Sequence, residues 1–433
     1  MKGKDKGVQA LLKVDAPQAL YVHCYGHRLN LAVQGTLTKV LSMKKTLGTV
    51  QRLYNFIESS TKRHAVFERI CDSKEKKEKL TLKSQSGTRW VCTYTSVKAV
   101  MSQIAAVVET LIVLVDDRDP KTSQESYSLL IALCDFEFIF GLVTLHMILA
   151  NTASLSAYLQ GKDVDVVHAR EAALGTKETF KKCRDDSSFQ LVWEKANILS
   201  TEVEEVLQDK DTDVEFKEAT EGRRKKPSRK QQARVGEDPS METNVILTPK
   251  DTYRMNTYFP SLDTVIVELS SRFGEDEKDV DQNILCALAR IVIKKSGSDD
   301  DFRILSDTYG QDINLLKADT FVFYNLTASD SLNTVQDVLR IVHDKKLHKM
   351  LPHFYRILCI LATIPATSCT AERSFSTLRR TKTYLRNSIG QSRLSSLALL
   401  TIEREFTNKI VLQNIDSVID SFGSQFGRNM YFF

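Results

Sequence analysis

Proline and glycine are scarce in this chain, at 8 and 17 of 433 residues, which excludes collagen-like and low-complexity classes and disfavours many short turn-linked strands. None of the 8 cysteines, at positions 24, 71, 92, 134, 183, 286, 359 and 369, falls in a Cys-x-x-Cys pair, so zinc ribbons and paired-cysteine fingers are absent. A chain of this length buries a core without disulfide staples, and reduced thiols in an intracellular compartment are the expectation. Charge of one sign is not in excess either: 60 basic less 55 acidic residues gives +5, so affinity for nucleic acid has to come from local clustering. Behind the basic start, Met-Lys-Gly-Lys-Asp-Lys-Gly, there is no apolar run of the kind a secretory signal needs. Residues 129–150 are long and apolar enough to span a bilayer, but Asp135 and Glu137 would be costly in hydrocarbon, and the stretch reads as a buried core helix. At about 150 residues per domain, two or three domains are expected.

Between the few breakers the chain is rich in Leu, Ile, Val, Ala, Glu and Lys, and predicts a mainly α fold. Leu37, Val40, Leu41, Leu47, Val50, Leu53, Tyr54 and Ile57 recur at helical spacing and predict one amphipathic helix over 37–57. The same spacing returns at Val97, Val100, Ile104, Val107, Val108 and Leu111. A strand is expected over 19–24, where Leu20, Val22 and Cys24 alternate with Tyr21 and His23. Residues 208–250 have the composition of an exposed, disordered linker: an acidic run, then Arg223-Arg224-Lys225-Lys226-Pro227-Ser228-Arg229-Lys230, then a tail of Gly, Pro, Ser and Thr. The basic residues Arg223, Arg224, Lys225, Lys226, Arg229 and Lys230 read equally as a nuclear localisation signal or phosphate-contacting patch and as a solvated linker. The charge run over 73–83 reads as a loop between helices, and no internal repeat or long heptad run is present.

Three local patterns could carry chemistry: His23-Cys24-Tyr25-Gly26-His27-Arg28-Leu29-Asn30-Leu31, then Gly87-Thr88-Arg89-Trp90, then 364–376 ending in Ala371-Glu372-Arg373-Ser374-Phe375-Ser376. Cys24 and His27 supply two zinc ligands where a structural site needs four, so no metal site is expected. The Arg89 guanidinium suits phosphate and the Trp90 indole suits base stacking, while a tryptophan at a core edge explains the same residue without function. Glu372 falls in the first turn of an expected helix, where a carboxylate is favoured by the helix dipole alone.

Taken in order, and with Leu155-Ser156-Ala157-Tyr158-Leu159-Gln160 and Tyr253-Arg254-Met255-Asn256 between them, these elements resemble the hAT (hobo/Activator) superfamily of transposases. The likeness is greatest to the transposase-derived part of MYM-type zinc-finger proteins. It implies a ribonuclease-H-like core interrupted by a large helical insertion, and an Asp-Asp-Glu triad holding Mg²⁺ for two-metal strand transfer. Of that triad it places only Glu372 here. The family's second aspartate precedes the Cys-x-x-His element in an Asp-Gly-Ala-x-x-Met stretch whose end resembles Met1-Lys-Gly-Lys, so both aspartates are expected upstream of residue 1; Asp5 and Asp15 do not fit the pattern.

The resemblance thus implies an N-terminally truncated remnant over 1–34, a helical insertion over 35–207 and 251–345 with the linker 208–250 between, and a dimerisation region over 346–433. Phe375, Leu378, Leu385, Leu394, Leu397 and Leu400 are its candidate self-association residues. Arg89, Trp90, Cys24 and His27 form the candidate DNA-binding set, and Arg373, Arg379, Arg380, Lys382, Arg386 and Arg393 make the C-terminal region locally basic. The expectation is a non-catalytic, self-associating nuclear protein with weak DNA contact, no cofactor, no membrane and no small-molecule substrate. The alternative is part of an active, Mg²⁺-dependent transposase; a third reading is a helical scaffold in the cytoplasm.

Overall fold

The computed structural model describes residues 7–73, 90–161, 164–219, 222–223, 246–274, 280–383 and 388–424. It divides into two compact units, Met1–Leu159 with Val164–Ala366, and Gln160–Asp163 with Thr367–Phe433. The break falls at 366, later in the chain than the boundary at 346 expected from the sequence.

The first unit is helical: α1 (Val8–Asp15), α2 (Tyr25–Lys39), α3 (Leu41–Glu58), α4 (Thr61–Ser73), α5 (Trp90–Ser102), α6 (Ile104–Val115), α7 (Pro120–Leu133), α8 (Phe136–Leu159), α9 (Val166–Lys182) and α10 (Asp186–Asp209). After a two-residue hairpin, β1 (Gly222–Arg223) against β2 (Ile246–Leu247), come α11 (Pro249–Tyr253), a π-helical turn (Arg254–Tyr258) and α12 (Phe259–Phe273). The unit closes with α13 (Val280–Val292), α14 (Asp299–Tyr309), α15 (Ile313–Leu326), α16 (Val335–Asp344) and α17 (Pro352–Thr363).

The long apolar stretch is the centre of the core. Helix α8 buries residues on every side, including Ile139, Phe140, Leu142, Leu145, Ile148 and Leu149, against α2, α3, α5, α9 and α10. It is long and apolar enough to cross a membrane, yet it is packed inside protein, as the acidic residues near its start required. Its close approach to α3 depends on Gly141: a Cβ there would lie 2.2 Å from Thr46 Oγ1. Helix starts are fixed by carboxylate and hydroxyl caps that satisfy otherwise orphaned N–H groups. Asp119 accepts from Thr122 N ahead of Pro120, Asp185 accepts from Ser188 N, and Ser298 with Asp301 and Thr334 with Asp337 form capping boxes. Gly310 ends α14 at φ 60°, a left-handed cap that a residue with a Cβ adopts at a cost.

Four expectations need correction. The 37–57 helix is two helices, because Val40 is extended (φ −95°, ψ 114°), although the apolar period runs on in phase. The run from Val97 to Leu111 is likewise broken at Gln103, where α5 and α6 bend by 77°. Residues 19–24 form no strand, since no neighbouring strand is described beside them; Leu20 and Val22 pack on the core, and Tyr21 N donates to Asp281 Oδ2 at 3.3 Å. Residues 208–219 are not an exposed linker. Val214 is buried and Phe216 packs on the core, while Lys217 N donates to Cys134 O at 2.8 Å, Phe136 N donates to Lys217 O at 2.9 Å, and Lys217 pairs with Asp135 at 2.6 Å. Lys217 ties this stretch to the start of α8, and two apolar residues among the acids hold it on the core. At the other end of the expected linker, Thr248 caps α11, which begins at Pro249. Apart from the hairpin, residues 220–245 and nearly all of the 73–83 loop lie outside the described residues.

The second unit contains α18 (Cys369–Thr381), α19 (Gln391–Ile402) and α20 (Arg404–Gly423). Helix α19 packs on α18 and, more lightly, on α20.

Candidate functional site

The first-unit motif residues serve the fold. Tyr25 is fully buried, edge-on to Phe273, with its backbone N–H bonded to Ala366 O at 3.0 Å. Arg28 Nη1 donates to Arg272 O at 2.8 Å and to Gln282 Oε1 at 3.2 Å, tying α2 to the end of α12 and to α13. Cys24 is the residue ahead of α2, half-buried, and His27 stands one turn in, its ring 5.0 Å from that of His23. Leu155 and Leu159 are buried at the end of α8. Tyr253 is buried among Phe136, Phe140 and Trp193, and Arg254 pairs with Asp186 at 2.9 Å. Burial pushes the Tyr253 hydroxyl far above its ordinary range, with the charges of Asp135 and Glu137 adding to the effect. Trp90 starts α5, but its side chain and all of Arg89 lie outside the described residues, as do Arg224, Lys225, Lys226, Arg229 and Lys230. The backbone of Arg223 pairs with Ile246 in the hairpin.

In the second unit, Glu372 sits in the first turn of α18 and is exposed; Ser368 Oγ donates to its Oε1 at 2.8 Å. Arg373 turns away and donates to Gln160 O at 2.7 Å and to Thr370 Oγ1 at 3.2 Å. Divalent magnesium takes several oxygen ligands, usually with at least one or two carboxylates. Among the described residues no group of three or more His, Cys, Asp or Glu could hold a metal ion. A single exposed glutamate held by a serine does not fit a two-metal centre.

What this unit does offer is apolar surface. Phe375 is 70% exposed and Leu400 52% exposed, Leu378 and Leu397 are half-buried, and Leu394 is buried, where it holds α19 in place. Leu385 lies outside the described residues. Leu399, Ile402 and Phe406 are exposed as well, and α20 has no buried residue at all. Exposed apolar residues gathered on a few helices mark association surfaces. Arg379, Arg380, Lys382 and Arg393 are exposed beside them, with Glu372 the one acid described between 367 and 402. Sequence reading missed α20, although its exposed residues recur at helical spacing from 411 to 422.

Residues 326–406 match the family model of the hAT family C-terminal dimerisation region, and residues 22–136 match that of the ZBED1 RNase-like helical domain. The former takes in α16 to α19 and the first residues of α20; the latter runs from just ahead of α2 to the start of α8. Among curated proteins, the chain is similar to the 52 kDa repressor of the inhibitor of the protein kinase of Homo sapiens and of Mus musculus, 22% identical to each over 436 residues, with 97% of this chain covered. It spans about half of their length, 53% in each case. No solved structure matches.

Proposed function

From its membership of the hAT transposase-derived proteins, we propose that this chain acts by self-association rather than by catalysis. The observation that carries the reading is the coincidence of the matched dimerisation region with exposed Phe375, Leu399, Leu400 and Ile402. Burying an apolar side chain of this size contributes about 1.5–3 kcal/mol. Several such residues from each copy, buried together, supply apolar contact of the kind a stable dimer needs.

The non-catalytic part of the reading is supported by the surroundings of Glu372, where the described residues provide one carboxylate and strand transfer needs several. The likeness to proteins named as a repressor supports a regulatory role, and with it a nuclear location, for which Arg223 to Lys230 would be the signal. Weak DNA contact through Arg379, Arg380, Lys382 and Arg393 is the subordinate part of the proposal; the ribonuclease-H-like remnant over 1–34 is its structural part, and the candidate DNA set Arg89, Trp90, Cys24 and His27 stays with it.

Two differently tagged copies, co-expressed, should purify together. Phe375→Asp with Leu400→Asp should abolish co-purification while circular dichroism is unchanged. Strand cleavage by the purified chain in Mg²⁺ or Mn²⁺, lost in Glu372→Gln, would overturn the non-catalytic reading.

A further inference from the structure

Helix α15 leaves Leu315, Val322 and Leu326 exposed, at 51%, 36% and 44%. Spaced by seven and then four residues, they share one face of the helix, with Asp319 between them. The Asp319 carboxylate is engaged there: Oδ2 accepts from His353 N at 2.8 Å and from Phe354 N at 3.3 Å, at the start of α17. Those bonds, with the stacked rings of Phe323 and Phe354 4.2 Å apart, hold α17 against α15. The connection into α17 leaves α16 beside the far end of the stripe, where Lys345 Nζ donates to Leu326 O at 3.4 Å. Leu347 and Leu351 are buried and pin it, and Met350 between them is 59% exposed.

The charge bordering this stripe on the α17 side has one sign, with no acidic residue from Lys345 to Arg356. Lys345 pairs with Asp330 at 2.9 Å, whereas Lys346, Lys349 and Arg356 are exposed and have no carboxylate partner among the described residues. Lys346 ends α16 in the left-handed region (φ 54°), where glycine is the usual residue.

We propose that this face docks an acidic amphipathic helix of another protein. Its apolar residues would cover Leu315, Val322, Leu326 and Met350, and its carboxylates would meet Lys346, Lys349 and Arg356. Nucleic-acid phosphate answers the cations but leaves four apolar side chains uncovered, and a flat bilayer surface does not fit the more recessed Val322. A second copy meeting the same face would set cation against cation, which a two-fold contact disfavours.

The test is fluorescence anisotropy on the full chain with two labelled peptides of about 18 residues. One has Leu at helical spacing and Glu elsewhere, and the other has Lys in place of Glu. Wild type should bind the Glu peptide and not the Lys peptide. Lys346→Glu with Lys349→Glu and Arg356→Glu should weaken the Glu peptide roughly tenfold or more and bind the Lys peptide instead. Val322→Ser with Met350→Ser, at unchanged circular dichroism, should weaken the Glu peptide to a similar extent. No binding of the Glu peptide at about 100 µM, or equal binding by wild type and the charge variant, overturns the proposal. Binding of duplex DNA or phosphatidylserine vesicles that the charge variant loses, while it keeps the Glu peptide, overturns it in favour of phosphate. A molar mass that falls to one chain in the charge variant overturns it in favour of a second copy.

Discussion

Asp165 bridges α9 and α16, and removing it tests their packing. Its side chain is 5% exposed. One carboxylate oxygen accepts from Val167 N at 2.7 Å and His168 N at 3.1 Å, capping α9. The other accepts from Val335 N at 3.0 Å, at the start of α16 and 170 residues away in the chain. Losing an N-cap costs about 0.5–2 kcal/mol, and leaving the buried Val335 N–H without an acceptor costs about 1–3 kcal/mol. Asp165→Ala should therefore destabilise by roughly 1.5–5 kcal/mol. Asp165→Asn keeps one oxygen for α9 but turns an amide NH₂ toward Val335 N–H, so it should lose only the second part, about 1–3 kcal/mol. Urea midpoints at unchanged m give the difference, and hydrogen exchange at Val335 should lose protection in both variants. A loss under about 1 kcal/mol in Asp165→Ala, or full Val335 protection in Asp165→Asn, would refute the bridging role.

Three further outcomes follow from named contacts. Gly141→Ala should destabilise by about 1–3 kcal/mol despite its better helix propensity, because of the clash with Thr46, and Thr46→Ala should restore part of the loss; equal stability of Gly141→Ala and wild type would refute the close approach. Partial burial pulls the pKa of His64 down, but Glu58 and Glu68, at 3.0 and 3.1 Å, outweigh it and hold the imidazolium above its usual 6.5. A raised folded pKa contributes stability that is fully present below the unfolded value and is lost as pH rises through the folded one. Chemical denaturation from about pH 5.5 to pH 8.5 should show this loss in wild type and not in His64→Gln. If DNA is bound at low salt through α18 and α19, changing Arg379, Arg380 and Arg393 to Gln should reduce the log–log salt slope by about 2–3; no binding at low salt removes the DNA part of the proposal.

Much of the helical content was legible because core-facing residues repeat at helical spacing, as in α3 and α6. What periodicity hides is where a helix stops while its apolar phase continues. Val40 is apolar and extended, and nothing in its neighbours marks the break. The start of α8 was more readable than it seemed: Asp135 accepts from Glu137 N at 2.8 Å, a local carboxylate contact beside the helix start that the apolar run concealed. Composition misled at 208–219, where seven charged residues outweigh Val214 and Phe216 in any average, though those two decide the packing. At the candidate site, Phe375 and Leu400 are exposed. Leu394 was not, because one helix cannot hold its position without burying something. Helix α20 escaped notice because apolar residues interleaved with Asp and Ser average to an unremarkable polarity.

Self-association through 326–406 is the central claim, and the molar mass of the full chain tests it most directly. Light scattering coupled to gel filtration, from about 1 to 50 µM in about 150 mM salt, covers the range in which specific interfaces of standard size assemble. The expected mass is that of two chains across that range, falling to one in Phe375→Asp with Leu400→Asp. A single-chain mass throughout, from folded wild-type protein, would contradict it.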